Sequence, residues 1–195
     1  MFKSVFKVLT SLCFVLLFVS GSCAAESQKI IAITQIVEHP TADSVRRGIE
    51  DELNESEYKI GERVKWVYEN AQNNTGTALQ IAKKFRSLKP DLVVAITTPS
   101  AQAMVNEFKG TNTPIVFASV TDPVNARLVE DLDRPGGNIT GTTDLPPVKA
   151  QIELIQKIVP NAKKIGILSN PGEPNSTSLF KYIKTCGEEL STEIV

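Results

Sequence analysis

Asp91 to Phe108 reads DLVVAITTPSAQAMVNEF, and this segment decides the fold. Its first six residues, DLVVAI, are almost wholly apolar, which is typical of a strand that a parallel sheet buries on both faces. A helical pattern follows from Ala101, with Pro99 where a first turn tolerates proline and Thr98 as the expected N-cap. The segment therefore predicts a strand that leads directly into a helix.

The loop of this segment has the chemistry of an anion site. Free N–H groups at the start of a helix attract negative charge, and hydroxyls from Thr97, Thr98 and Ser100 lie beside them. In open α/β sheets ligands bind at the carboxyl ends of the strands, where this loop would lie. The carboxylate of a small molecule fits such a corner. An ordinary capped helix start has the same residues, so both interpretations stay open.

The surrounding sequence repeats the same alternation of strand and helix. Strands are predicted at Lys29–Ile36, Glu62–Glu69 and Thr113–Ala118, and helices at Thr41–Leu53 and Asn74–Leu88. Alternating apolar residues in the second strand (Val64, Trp66 and Tyr68) indicate a half-exposed edge strand. Repeated β-α units with short loops predict an α/β fold, a doubly wound parallel sheet with right-handed crossovers.

A second, shorter series follows the turn-rich link Asp133–Gly137. The pattern predicts a short helix at Asn125–Leu132, a short strand at Asn138–Thr142, a helix at Pro146–Ile158, a buried strand at Lys163–Ser169, a helix at Ser176–Leu190 and the start of a strand at Thr192–Val195. A buried strand with so few neighbours is unusual for a complete domain. We therefore expect a shortened form of a longer protein.

The first 25 residues have the pattern of a signal peptide. Lys3 and Lys7 precede an apolar stretch, Val8–Val19, and small residues follow at Ser20–Ala25, where cleavage is expected. The apolar stretch is too short for a comfortable membrane span. We expect an exported protein that is either periplasmic or, if Cys23 is lipidated, anchored to a membrane as a lipoprotein.

Composition excludes several classes of function. The formal net charge is −1, which gives no electrostatic reason to expect nucleic acid as a partner. After loss of the signal peptide Cys186 is the remaining cysteine, so an internal disulfide is excluded, and its helical position suggests a packing role. With His39 as the single histidine, we expect no metal site and no cofactor.

The sequence also argues against an enzyme. It contains no G-x-S-x-G elbow, no Walker loop and no G-x-G-x-x-G fingerprint. His39 beside Glu38, or near Asp122, could act as a general base, but a loop histidine that makes polar contacts gives the same pattern.

Polar side chains collect where the predicted strands end, and parallel strands would bring them to one rim. The candidate ligand-binding residues are Gln35, Glu38, Thr97, Thr98, Ser100, Ala101, Ser119, Asp122, Asn170, Asn175 and Ser176. Two of these assignments have ordinary structural alternatives. Asp122 could bind a ligand's ammonium group or bond its own turn, and Asn175 or Ser176 could N-cap the next helix.

Several motifs together resemble one known family, the ABC-transporter substrate-binding family that includes bacterial tryptophan/tyrosine-binding proteins. The resemblance runs from about Lys29 to the end. It is carried by ITQIVEHP at Ile33–Pro40, AITTPSAQ at Ala95–Gln102, PIVF at Pro114–Phe117, VTDP at Val120–Pro123 and PGGNITG at Pro135–Gly141.

The resemblance implies a two-lobed periplasmic binding protein of the leucine-binding type. Residues 26–140 would form the first lobe and residues 141–195 the beginning of a second, truncated lobe. A small ligand, often an aromatic amino acid such as tryptophan, would bind between the lobes and pass to a membrane permease and ATPase. Thr98 and Ser100 would hold its carboxylate, with Ser119 and Asp122 from the first lobe and Asn170, Asn175 and Ser176 from the second.

The alternative from another class is a ligand-sensing or interaction protein that presents the same lobe to a membrane partner. An exported α/β hydrolase is a more distant alternative, because no nucleophile-base pair is visible.

Overall fold

Residues 27–195 are described by a computed structural model in which strands alternate with helices. The signal peptide and Cys23 lie outside these residues, so the predictions about them stay predictions. The strands are β1 (Lys29–Gln35), β2 (Val64–Asn70), β3 (Leu92–Ile96), β4 (Ile115–Val120), β5 (Ile139–Thr143), β6 (Lys164–Ile165) and β7 (Glu193–Ile194). The helices are α1 (Pro40–Glu55), α2 (Thr75–Leu88), α3 (Thr98–Glu107), α4 (Val148–Ile158) and α5 (Pro174–Glu189).

The strands β1 to β5 form one fully parallel sheet in the order β2-β1-β3-β4-β5. This confirms the predicted doubly wound sheet, and β2 lies at its edge as predicted. Because β1 pairs with β2 on one side and β3 on the other, the direction of chain growth across the sheet reverses at β1. The carboxyl ends of β1 and β3 therefore flank the topological switch point, where such sheets bind ligands.

Helices cover both faces of this sheet, because successive strand residues point to opposite faces. On one face Ile33 of β1 belongs to the same apolar cluster as Ala42 of α1. On the other face Val93 of β3 shares a cluster with Phe85 of α2 and Met104 of α3. The sheet and its helices, residues 29–143, are called the first lobe below.

Residues 148–195, called the second lobe below, form a smaller unit. β6 and β7 pair in parallel, with Ile165 opposite Ile194. Val148 and Ile152 of α4 form an apolar cluster with Cys186 of α5 and with Ile194. The predicted packing role of Cys186 is confirmed, since its side chain is buried in this cluster.

Two expectations about secondary structure are wrong. Asn125–Leu132 is a turn and not a helix. The Asp122 carboxylate caps a first turn by accepting a hydrogen bond from the Asn125 N–H at 3.0 Å, but Arg127 has a positive φ of 57° that ends it. The predicted buried strand Lys163–Ser169 is shortened to the two residues of β6, and Leu168 is fully exposed. In the described part of the chain, β7 alone pairs with β6, so the apolar segment has little to pack against.

Between residues 27 and 195, no helix combines the length and the apolar character needed to cross a lipid bilayer.

Asp91 ties β1 to the start of β3. Its carboxylate accepts hydrogen bonds from the Ile30 backbone N–H at 2.8 Å and from Lys29 Nζ at 3.0 Å. The Ile30 hydrogen bond, followed by the one from Lys29, lowers the pKa of the Asp91 carboxyl. A carboxyl with a lowered pKa stabilises the fold above its unfolded pKa, and that contribution is lost as the pH falls through its folded pKa.

We expect Asp91→Asn to lower the free energy of unfolding at pH 7 by about 1 kcal/mol, a modest value because the partly exposed charge is screened by water. The difference from wild type should begin to shrink below about pH 4, where the carboxyl protonates in the unfolded chain, and should shrink further as the pH falls through the lower folded pKa. Urea denaturation between pH 3 and pH 8 measures it. Asp51→Asn, at an exposed position of α1, is the control, and a difference that does not change with pH would contradict the assignment.

Candidate functional site

A cavity of about 550 Å³ lies at the switch point and is lined by both lobes. The first lobe contributes the loop after β1, the start of α2 and one face of α3, and the second lobe contributes the loop before α5. The lining residues are Ile36, Val37, Asn73, Thr75, Leu79, Thr97, Pro99, Gln102, Ala103, Asn106, Asn170, Gly172, Glu173, Pro174 and Asn175.

Gln35 supports the loop that forms one wall of this cavity. Its side chain is completely buried at the end of β1. Its Nε2 donates hydrogen bonds to the Val37 carbonyl at 3.0 Å and to Asp43 Oδ1 at 2.8 Å. Gln35 therefore holds Val37 in place from beneath and does not line the cavity itself.

His39 ends the same loop and starts the next helix. It is the N-cap of α1, and its Nδ1 accepts a hydrogen bond from the Thr41 N–H at 3.3 Å. This is the polar-contact role that the sequence left open as the alternative to a general base. Neither His39 nor Glu38 lines the cavity, and both are exposed.

Thr97 occupies the bend between β3 and α3. It is the N-cap of α3, so the expectation that Thr98 caps this helix is wrong by one residue. Its φ of 76° and ψ of 158° belong to a region that glycine alone adopts readily. The reason for the shift is backbone pairing, because the Thr97 N–H bonds the Ala118 carbonyl and the Thr97 carbonyl accepts from the Ala101 N–H.

The bend leaves two hydroxyls without partners. Thr97 Oγ1 and Ser100 Oγ are shielded from solvent and form no hydrogen bond within the described residues. Thr97 lines the larger cavity, whereas Ser100 and Ala101 are completely buried and line no cavity. Strained backbone with an unpaired hydroxyl is typical of positions that are shaped for binding rather than for stability.

The wall from the second lobe comes from the loop that precedes α5. This helix begins at Pro174 with Glu173 as its N-cap, so the alternative role of Asn175 or Ser176 as the N-cap is excluded. Asn170 and Asn175 line the cavity, and Ser176 does not. Pro174 favours a helix start at this position, because its ring fixes φ at a helical value and the first turn needs no N–H.

A smaller cavity of about 390 Å³ lies beside the larger one, also between the lobes. Thr98, Asp122 and Asn175 line it, together with Lys181 of α5. Asp122 is held by the turn at its own position, since its carboxylate accepts from the Asn125 backbone N–H and contacts the Asn125 side-chain amide. Asp122 and Lys181 therefore face the same space from opposite lobes.

Ser119 takes part in the connection between the lobes. It has a positive φ of 55°, and its Oγ donates a hydrogen bond to Asp144 Oδ2 at 2.7 Å. Asp144 begins the crossing segment 144–147, and its N–H bonds the Val120 carbonyl at 3.3 Å. Ser119 lines neither of the two cavities between the lobes.

The structure thus brings five of the eleven candidate residues to the cavities between the lobes, namely Thr97, Thr98, Asp122, Asn170 and Asn175. It places the other six beneath or beside them. A role in ligand binding stays a prediction for all eleven.

Sequence reasoning missed the helical part of the cavity wall. Asn73 comes from the turn before α2, Leu79 from α2 itself, and Gln102 and Asn106 from α3. The signal was present as helical spacing. Three residues of α3 recur every three to four positions and share one face of the helix, namely Pro99, Gln102 and Asn106. Of these, Pro99 was interpreted only as a helix-start signal.

The charged groups on the opposite face of the sheet are paired with each other. The Arg46 guanidinium lies 4.9 Å from the centre of the Tyr68 ring and forms an ion pair with Glu50 at 2.7 Å. Burial raises the pKa of the Tyr68 hydroxyl.

Across residues 27–195 no three His, Cys, Asp or Glu side chains are grouped so that they could hold a metal ion.

Comparison with known proteins identifies the family. Residues 30–195 match the sequence profile of the ABC transporter substrate binding proteins. The chain belongs to this family. A tyrosine-binding protein from Clostridioides difficile is 44% identical over 170 residues, which span 85% of this chain and 49% of that protein.

Two solved structures of related substrate-binding proteins match the fold. The ABC domain in complex with L-Trp from Streptococcus pneumoniae is 36% identical with a TM-score of 0.80, and covers 87% of this chain and 56% of that one. The ligand-free, open structure of a substrate binding protein with adhesive properties from Clostridium difficile is 41% identical with a TM-score of 0.69, and covers 86% and 56%. The chain spans about half the length of these relatives.

We expect Thr97→Gly to leave the free energy of unfolding unchanged or to raise it by up to about 1 kcal/mol. Glycine removes backbone strain of about 1–3 kcal/mol from the folded state, but it also raises the conformational entropy of the unfolded chain, which offsets part of that gain. Thermal and urea unfolding measure it. Thr142→Gly in β5, where φ is not positive, is the matched control and should lower stability by about 1 kcal/mol. Equal losses in both variants would contradict the assignment of strain to Thr97.

Proposed function

We propose that this chain is the solute-binding component of an ABC importer and that it binds an amino acid, preferably an aromatic one, between its two lobes. The observation that carries the proposal is the larger cavity, which lies at the switch point of a parallel sheet and has walls from both lobes. Ligands that contact both lobes at once favour the closed arrangement over the open one, which is how such a protein signals that it is loaded.

The cavity has the composition that an aromatic amino acid requires. Ile36, Val37 and Leu79 offer apolar surface to a ring, while Asn73 and Asn106 offer amide groups to polar atoms at its edge. A volume of about 550 Å³ is within the range of roughly 300–1,000 Å³ that is usual for small-molecule sites. The tyrosine-binding relative and the relative in complex with L-Trp support the same class of ligand.

The proposal includes the protein's location and partners. Residues 1–25 would direct export, and lipidation of Cys23 would tether the mature protein to the cell envelope. The loaded protein would then deliver its ligand to a membrane permease and its ATPase, as the family membership suggests.

Thermal unfolding of the full chain with a panel of the twenty amino acids tests this function, with tryptophan, tyrosine and phenylalanine first. A ligand that binds the folded state stabilises it by about 2.7 kcal/mol at a hundredfold excess over its dissociation constant. A cooperative melt that one ligand shifts upward supports the proposal. A melt that no amino acid shifts would refute it.

Leu79→Glu tests whether the ligand lies in this cavity. Leu79 lies in the cavity wall and is 49% exposed, so a glutamate is tolerated by the fold but places a charge against the ligand's ring. We expect the dissociation constant to rise at least about tenfold. Leu154→Glu on α4, where the leucine is 55% exposed and lines no cavity between the lobes, is the matched control and should bind as wild type does.

A further inference from the structure

Glu173 is the charged residue of the larger cavity. The other lining residues are apolar, amide or hydroxyl side chains and glycine. Its carboxylate is held between two amides, with Oε1 3.2 Å from Asn170 Nδ2 and Oε2 3.5 Å from Asn175 Nδ2. The side chain is half-buried, so the carboxylate is partly removed from water.

The carboxylate lies at the positive end of the α5 dipole, which stabilises its charge, but it has neither a capping hydrogen bond nor a cationic partner within the described residues. Glu173 is the N-cap of α5, but its side chain accepts no hydrogen bond from the free N–H groups of that helix. It forms no ion pair with any cation in residues 27–195. Its two amide partners are neutral, and a partly buried carboxylate with neutral partners gains most from a cation brought to it.

The facing wall in the first lobe is also the start of a helix, but it carries no carboxylate. The first turn of α3 begins at Thr98 and presents free N–H groups and the positive end of the helix dipole. Thr97, which has the unpaired Oγ1, lines the same cavity. One cavity therefore has an anion-attracting wall in the first lobe and a single carboxylate in the second.

We propose that Glu173 binds the ammonium group of the ligand and that this site selects zwitterions over simple carboxylic acids. Asn170 and Asn175 are positioning residues, since each contacts one oxygen of the carboxylate and lines the same cavity. This inference rests on the proposed amino-acid function and adds to it the group that the protein recognises and the residue that recognises it.

Pairs of ligands that differ in the amine alone test the inference. L-Tryptophan is compared with indole-3-propionate, L-phenylalanine with 3-phenylpropionate, and L-tyrosine with 3-(4-hydroxyphenyl)propionate, by calorimetric titration of the full chain. For wild type we expect the amine-bearing member to bind about 10–100-fold more tightly, as for a hydrogen bond between charged groups. A wild-type protein that binds both members of a pair equally overturns the inference without the need for a variant.

Glu173→Gln keeps the shape and removes the charge. We expect it to lose most of the preference for the amine while the desamino acids bind as they do to wild type. Glu188→Gln, at an exposed glutamate of the same helix outside the cavities between the lobes, is the matched control and should keep the full preference.

The outcomes separate this inference from the proposed function. If Glu173→Gln retains the wild-type preference, Glu173 is not the ammonium site, and the amino-acid function still stands. If wild type binds no member of any pair and no amino acid, both the inference and the function are overturned.

Discussion

The pairing of β1 with β2 on one side and β3 on the other is the constraint on which the rest of the structure depends. Because β1 is buried from Ile31 to Gln35, a register shift of one residue would turn Ile33 away from α1 and is disfavoured. Right-handed crossovers then force α1 and α2 onto opposite faces. The loops that follow β1 and β3 separate for the same reason, so the crevice between them results from the path of the chain.

The fold was largely predictable because the pattern of apolar residues shows which faces of its strands and helices are buried. In a central parallel strand the segment DLVVAI buries its apolar side chains on both faces and pairs its backbone on both edges, and β3 lies at such a position. The pattern failed where local backbone geometry prevails over it. Asp122 caps a first turn at Asn125, but the positive φ of Arg127 ends that turn before a helix can continue. At Lys163–Ser169 the apolar segment was right for a strand, but its extent depends on neighbouring strands.

The location of the site was predictable from the sequence, but the residues that form it were not. Parallel strands fix the rim at which polar loops collect, whereas the backbone angles of single residues decide which side chains reach the space between the lobes. Gln35 and Ser100 have the composition of ligand contacts and are instead buried within the first lobe. Glu173 was not among the residues predicted to bind the ligand. Its position becomes informative only when the second lobe is placed opposite α3, and no local pattern in the sequence encodes that approach.

The crossing segment 144–147 has a mechanical consequence. Asp144 is fastened to the first lobe through Ser119 and Val120, and Pro146 and Pro147 have fixed φ angles at the start of the second lobe. Pro147 also restricts the backbone of Pro146 before it. Pro146 likewise restricts the backbone of Leu145 before it. The connection between the lobes therefore has few rotatable backbone bonds, and this limits the number of ways in which the two cavity walls can face each other.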